Sequence, residues 1–451
     1  MIKKKKINSA SKIVLGFLAI IFIGTFLLCL PISSNNGEWL PIVDSLLTST
    51  SSVCVTGLVV VDTAVYFSLF GQIVILILIQ IGGLGFITLT SLVFLLLGKK
   101  ITYEKRITIQ ESLNQENIQG VVKLVKNIII LVFSIELIGF ICLAPSLISI
   151  YGWGSGLFKA LFLSISAFCN AGFDIFGTTS TQFASLSCFA QNVFILLPVI
   201  FLIVLGGLGY IVLFEIGKKF KNQKLSLCSK IVLISTLVLI FGSSLIFACL
   251  EWNNPQTIGN MTIWEKILNS LFLSVTPRTA GFTTFDYSNL SQSSIFLMDI
   301  LMFIGGNPAS TAGGIKTTTL IVLMVAVFKS TNDNGNIQFF KKSISAKTVK
   351  KAFRVVAMAI SFVVISSFLI CVFEGDRITL DKIFFECISA FSTVGITLNI
   401  TPLLGMVSKL IITILMFVGR VGALTLTLAL ANKSIDISKN IEYPDSKIMI
   451  G

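Results

Sequence analysis

Four glycines recur along the chain at near-equal intervals, each in the same local setting. Gly57, Gly172, Gly281 and Gly395 are separated by 115, 109 and 114 residues. Each closes a short polar turn that follows a short apolar run and precedes a long one. The turns read Val55-Thr56-Gly57, Asn170-Ala171-Gly172, Thr279-Ala280-Gly281 and Thr393-Val394-Gly395. Four copies of one unit can set four such turns around a common axis. Aiming successive carbonyls at one point needs backbone angles that glycine reaches easily and other residues do not. A ring of that kind offers main-chain oxygens to a bare cation in place of its water shell. A single loop glycine means little, but four in register after short helices point to a pore.

The long apolar runs say where the units sit. Of 451 residues, 54% are hydrophobic and only 12% charged, and the mean hydropathy is +0.94. The surface of a soluble protein this long needs far more charge. Lipid is therefore the outer solvent, which calls for apolar helices of about 20 residues. Eight candidates run over 12–31, 69–97, 121–150, 191–217, 230–250, 295–328, 352–373 and 404–431. Four shorter apolar stretches, 43–55, 157–169, 262–275 and 379–391, cannot cross ~30 Å of hydrocarbon at ~1.5 Å per residue. Each runs straight into a glycine turn, so each is expected to enter the membrane and turn back. The predicted fold is an all-α polytopic membrane protein of four span–pore helix–span repeats. Eight transmembrane helices and four re-entrant loops then surround one central pore. The repeats occupy 1–98, 99–217, 218–328 and 329–451, the last with a carboxyl-terminal tail.

Charge orients the spans. Basic clusters lie at Lys3 to Lys6, at Lys99, Lys100, Lys105 and Arg106, and at Lys218, Lys219, Lys221 and Lys224. A fourth comprises Lys341, Lys342, Lys347, Lys350, Lys351 and Arg354. All fall on one side of the eight-span arrangement, which the positive-inside rule makes cytoplasmic, with both termini. The chain is then multi-pass in the plasma membrane. Its net charge of +13 follows from topology and implies no nucleic acid. Around the glycine turns stand Glu38, Asp44, Asp62, Asp174, Glu251, Asp286, Glu374, Asp376 and Asp381, an acidic outer field expected to gather cations. The amino-terminal lysines and apolar run resemble a signal peptide, but no small-residue cleavage site closes it, so an uncleaved first span is expected. The nine cysteines form no metal-type pair and read as small buried apolar residues. Histidine is absent, which excludes histidine triads, metal sites and proton relays. Glu136 and Asp299 are isolated acids within spans, so an intramembrane enzyme has no support.

A second glycine pattern lies deeper, in the second span of each repeat. It reads Ile81-Gly82-Gly83-Leu84-Gly85, Leu205-Gly206-Gly207-Leu208-Gly209, Ile304-Gly305-Gly306-Asn307 and Val418-Gly419-Arg420-Val421-Gly422. In the first two copies, close helix packing accounts for it. The third copy continues through Pro308, Ala309, Ser310, Thr311, Ala312, Gly313, Gly314, Ile315 and Lys316 to Thr319. Proline and four glycines weaken any continuous helix there, so a broken helix with a loop inside the pore is expected. Arg420 sits in an otherwise apolar span and must face a polar cavity or a partner. Below the filter it would repel a second cation, bond carbonyls of residues 305–314, or do both. The role of Lys316 is open. Arg278, just before the third turn, is expected to meet an acid near the outer surface.

With these residues in view, the chain resembles the membrane subunit of Ktr-type potassium-uptake systems, within the Trk/Ktr/HKT superfamily. The likeness runs nearly end to end. The four single-glycine turns, the Gly305-to-Thr319 stretch and Arg420 carry it. The start, almost directly at the first repeat, favours the Ktr type over Trk subunits with two extra leading spans. The resemblance implies K+ held at the twelve turn residues, with looser selectivity than the longer filter of tetrameric potassium channels. It also implies that residues 305–314 act as an intramembrane gate. A homodimer with one pore per protomer and a cytosolic ring of nucleotide-binding regulatory subunits are implied too. No phosphate-binding G-x-x-x-x-G-K-[ST] motif occurs, so nucleotide belongs on the partner and the chain itself carries no cofactor. The basic loops at 99–106, 218–230 and 341–354 either dock that ring or only set topology, and Tyr443 to Gly451 is a candidate dimer contact. Sodium stays open as a second ion. So does a secondary transporter alternating access around a midplane site, although such folds usually use inverted repeats.

Overall fold

The computed structural model describes residues 9–85, 106–107, 120–219, 224–328, 337–339, 342–422 and 425–426. Several expectations lie outside these residues. They are the clusters at Lys3–Lys6, Lys99, Lys100 and Lys105, Lys221 and Lys341, the distal parts of 69–97 and 404–431, and the Tyr443–Gly451 tail.

The described chain is mainly helical. Its first stretch is α1 (Ser9–Cys29), α2 (Ile42–Cys54) and α3 (Leu69–Leu84). The second is α4 (Val121–Tyr151), α5 (Trp153–Cys169), α6 (Val193–Leu208) and α7 (Tyr210–Lys219). The third is α8 (Leu227–Glu251), α9 (Ile263–Val275), α10 (Gln292–Ile304) and α11 (Thr317–Phe328). The fourth is α12 (Ala346–Glu374), α13 (Leu380–Ser392) and α14 (Met406–Val421). One departure from all-α is a small antiparallel hairpin, β1 (Ile337–Phe339) with β2 (Lys342–Ile344), pairing Ile337 with Ile344.

Each short helix, α2, α5, α9 and α13, begins in a loop and ends at a glycine turn. Asp44, Glu265 and Asp381 sit in the first turns of α2, α9 and α13, where a carboxylate favours the positive end of the helix dipole. Glu265 also accepts the Thr262 N–H at 2.9 Å. The opposite, negative ends of these helices point at the turns. Packing between stretches is cyclic: α3 lies against α5, α6 against α9, α10 against α13, and α14 against α2. Lys409 on α14 pairs with Asp44 on α2 at 2.7 Å and fastens the last of these contacts.

Four helices are long and apolar enough to cross a membrane among the described residues: Ser11–Cys29, Val121–Tyr151, Leu227–Glu251 and Ala346–Arg377. A break was expected in the span over 295–328 and is present between α10 and α11; the expectation that the other second spans run unbroken is corrected here. The second helices stop at their deep glycines, and α6 and α7, expected as one span over 191–217, meet at 100°. The cause is backbone conformation. Gly85, Gly209 and Gly422 end their helices at φ 80°, 92° and 89°, a region from which a right-handed helix does not continue. The expected close packing is also present. A methyl on Gly82 or Gly206 would lie 2.1 Å from Val53 O or 2.0 Å from Phe168 O, so only a hydrogen fits against these short-helix carbonyls.

The loops at the short-helix starts are pinned by acids. Glu251 Oε1 accepts Ser291 N at 3.0 Å, Ser291 Oγ at 2.7 Å and Ser294 Oγ at 2.5 Å, while Oε2 takes Asn254 and Thr257 at 2.8 Å. Glu374 accepts Gly405 N at 2.7 Å, and Asp62 accepts Ala64 N at 2.8 Å and Phe183 N at 2.5 Å. Of the acids expected to form an outer field, Glu251, Glu374 and Asp62 are therefore spent on holding loops. All nine cysteines are free, but Cys142, Cys188, Cys228 and Cys249 are exposed, against the expectation of burial. Cys142, Cys228 and Cys249 lie on helices apolar enough to cross a membrane, where an exposed thiol would meet lipid, whereas Cys188 sits in a short turn outside them.

Candidate functional site: four converging turns and the segment beneath them

The four turns share one backbone pattern. Their first residues, Val55, Asn170, Thr279 and Thr393, have φ of 59°, 59°, 70° and 51°. Their glycines have φ of 102°, 71°, 79° and 89°, while the residues between, Thr56, Ala171, Ala280 and Val394, have no positive φ. Alternation of left-handed with right-handed or extended backbone swings successive carbonyls to one side of the chain. The amides are tied back to the short helices. Thr56 N donates to Ser51 O, Ala171 N to Ser166 O and Val394 N to Ser389 O, each at 2.8 Å, and Ala280 N to Thr276 O at 2.9 Å. Ser51 Oγ accepts Gly57 N at 3.0 Å, and Ser389 Oγ accepts Gly395 N at 3.1 Å.

The turns meet in cyclic order. A Cβ on Gly57 would lie 2.7 Å from Ala171 O, on Gly172 2.9 Å from Ala280 O, on Gly281 2.6 Å from Val394 O, and on Gly395 1.9 Å from Thr56 O. Each glycine thus faces the middle carbonyl of the next turn, and the fourth faces the first. All twelve residues are buried. Thr56 Oγ1, Asn170 Oδ1 and Thr393 Oγ1 have no hydrogen-bond partner.

Residues 305–316 leave the helical path between α10 and α11, with Gly305, Ala309 and Gly314 at φ 59°, 53° and 64°. They press upward on the fourth turn: a Cβ on Gly313 would sit 2.0 Å from Thr393 Oγ1, and one on Gly314 2.9 Å from Ser392 Cα. The other side of the segment docks on the broken end of α6. A helix end leaves its last carbonyls unpaired, and here the segment uses them. Gly207 O accepts Asn307 Nδ2 at 2.9 Å and Asn307 N at 3.3 Å, and Gly206 O accepts Thr311 N at 3.4 Å. Past the break, Tyr210 N donates to Ala309 O at 2.9 Å. Ser310 Oγ donates to Asn307 O at 2.6 Å, and Thr317 N donates to Gly306 O at 3.0 Å. Pro308 O lies 2.5 Å from where a Gly209 Cβ would stand.

Two cations hold the segment. Arg420 donates through Nη1 to Thr311 O and through Nη2 to Gly82 O, another carbonyl near a helix end. It thereby bridges the segment to α3, and Thr311 belongs to the 305–314 carbonyls expected as its ligands. Lys316 Nζ folds back onto Ala312 O at 2.6 Å and Gly313 O at 3.4 Å. One expectation is overturned. Arg278 meets no acid among the described residues; its guanidinium donates to Thr236. Glu136, expected as an isolated acid, is met by an amide and not by a second acid: both its oxygens accept Gln80 Nε2, at 3.0 and 3.2 Å. Sequence reasoning also passed over Thr236 and the deep carbonyls of Gly82, Gly206 and Gly207. A Ser235-Thr236 pair in the middle of an apolar span was the available signal.

Just outside the second turn, Asp174 is pushed up to about 7. Burial is the main cause; the Phe176 N–H opposes it, Asp62 adds to it, and Lys159 also opposes it.

A family model described as TrkH, cation transport protein, matches residues 6–438. The Ktr system potassium uptake protein B of Bacillus subtilis is 40% identical over 100% of this chain and 98% of its own length. The potassium/sodium uptake protein NtpJ of Enterococcus hirae is 38% identical over 99% and 98%. The crystal structure of the potassium transporter TrkH from Vibrio parahaemolyticus shares the fold, with a TM-score of 0.72 over 95% of this chain and 86% of that one at 16% identity. The chain belongs to the TrkH family of cation transport proteins, which are membrane ion transporters and not enzymes.

Proposed function

We propose that the chain takes up K+ across the plasma membrane through the ring of four turns. The turns form a selectivity filter, and residues 305–314 with Lys316 and Arg420 an intramembrane gate. The cyclic approach of each turn glycine to the next turn's carbonyl carries this reading. Four repeats of span, pore helix and span then surround one pore. Amides drawn back onto the pore helices leave the carbonyls of Val55 to Gly57, and of their three counterparts, to replace the ion's water. The negative ends of the pore helices favour a cation there. The gate segment sits directly below, held by Arg420, whose fixed charge opposes a second ion. The inward-negative potential contributes about 2.3 kcal/mol per charge per 100 mV, so entry needs no nucleotide on this chain.

Orientation follows from the basic clusters, read as cytoplasmic, and from the tryptophans. Trp39, Trp153 and Trp264 are 65%, 76% and 80% exposed, each at or near the outward start of a pore helix. Exposed tryptophans suit the membrane–water interface. Relatives named as parts of a Ktr system support a separate regulatory subunit, and we take it to be a cytosolic nucleotide-binding ring with the chain as a homodimer. The relative named for both potassium and sodium favours Na+ as a second cargo or coupling ion.

Rubidium and potassium uptake by a potassium-uptake-deficient strain, comparing wild type with Gly281→Ser, tests the filter. The serine side chain enters at a φ of 79° and within 2.6 Å of Val394 O, so ion preference and apparent affinity should both change. An inserted variant with wild-type preference refutes the assignment.

A further inference from the structure

Arg278 stands one residue before the third turn and is only 6% exposed. A guanidinium taken out of water is costly unless its donors are met. Among the described residues, its guanidinium bonds to one residue in the middle of α8. Nη2 donates to Thr236 Oγ1 at 3.2 Å, and Nη1 donates to Thr236 O at 3.4 Å. The same Thr236 Oγ1 accepts a second bond, at 3.3 Å, from Asn307 Nδ2 in the gate segment. A hydroxyl oxygen has two lone pairs; here the filter turn takes one and the gate segment the other.

The contact extends in both directions. On the filter side, Asn170 Nδ2 of the second turn donates to Arg278 O at 3.3 Å and to Thr279 Oγ1 at 3.4 Å. On the gate side, Asn307 Oδ1 accepts from Thr317 Oγ1 at the start of α11. Asn170, Arg278, Thr236, Asn307 and Thr317 are all buried. A continuous polar thread therefore runs through an apolar bundle, from two of the four turns to the helix below the gate. In such surroundings each bond is strengthened, and each loss is costly.

We propose that Thr236 couples the filter to the gate, with Arg278 and Asn307 as its two arms. Movement of the segment away from α6 draws Asn307 off Thr236, frees the hydroxyl to turn, and loosens the Arg278 head that braces the second and third turns. Linkage makes the effect reciprocal: an ion that tightens the ring also biases the segment. The inference rests on the filter and gate reading above. Thr236 and Arg278 are positioning residues in it, touching no ion.

The experiment measures K+ against Na+ preference and maximal rate of rubidium uptake in intact cells, with membrane-inserted protein quantified. Thr236→Val and Asn307→Ala should each shift the preference about fivefold, the effect of one hydrogen bond. The double variant should shift it no further than either single change. Thr236→Ser keeps the hydroxyl and should retain wild-type preference. The coupling is overturned if Asn307→Ala changes only the rate, if the two shifts multiply, or if Thr236→Ser behaves like Thr236→Val. Gly281→Ser, run alongside, separates the two levels. If it too leaves preference unchanged, the filter reading has failed; if it alone shifts preference, only the coupling has.

Discussion

Removing the Arg420 head group should open the pore. Its two donors go to Thr311 O on the gate segment and Gly82 O on α3, so Arg420→Ala unties the segment from its neighbour in one step. A hydrogen bond from a charged donor contributes about 1.5–3 kcal/mol. Water entering the space made by the truncation offsets part of two such losses, leaving a net of about 2 kcal/mol against the docked position. That corresponds to a factor of about 30 in the balance between docked and displaced segment. Loss of the fixed charge beneath the filter acts in the same direction on rate. Rubidium uptake into proteoliposomes at a clamped potential should therefore rise several-fold in maximal rate, with ion preference close to wild type. Arg420→Lys separates the two causes. It keeps the charge but loses the planar fork that spans two carbonyls, so it should be intermediate. A correctly inserted Arg420→Ala with unchanged or lower rate refutes the gate reading. A lysine variant equal to wild type assigns the limit to charge and not to bridging.

Lys409→Met should lower the thermal unfolding temperature in detergent, because it strands Asp44 at the contact that closes the ring of packed helices. With side chains 13% and 16% exposed, about 1–3 kcal/mol is expected, and an unshifted transition refutes the clasp. Uptake should also rise between pH 6 and pH 8. Asp174, held up at about 7 chiefly by burial, is neutral on the acid side and gains its charge near the outer mouth as pH increases. Asp174→Asn should flatten that rise; an unaltered profile assigns it to another group.

The parts of the fold most legible in the sequence are those where one chemical requirement is met four times. The glycine turns and the short runs before them stand out because only glycine tolerates a φ such as the 102° of Gly57 beside a neighbouring carbonyl. The four short helices fall within a few residues of their expected bounds, since apolar length and a turn delimit them. The breaks at Gly85 and Gly209 were hidden because Gly-Gly-Leu-Gly in an apolar run reads equally as tight packing, and here it is both; that at Gly422 was hidden in the same way behind Gly419 and Arg420. Arg420 was findable as a lone charge in a span, and so was its taste for carbonyls. Arg278 misled because a buried arginine suggests an acid, whereas the structure answers it with a threonine from a helix remote in sequence. Partners of that kind leave no periodic trace. The acids around the turns misled for a related reason: composition shows their charge but not the backbone amides, such as Ser291 N and Gly405 N, that already claim it.

The claim on which the rest depends is that four covalently linked turns surround a single dehydrated ion. Anomalous diffraction from crystals grown in rubidium addresses it directly. The account predicts a rubidium peak on the common axis, ringed by the carbonyls of Thr56, Ala171, Ala280 and Val394. Rubidium bound only away from that axis, with the four turns leaving no site between them, would contradict it.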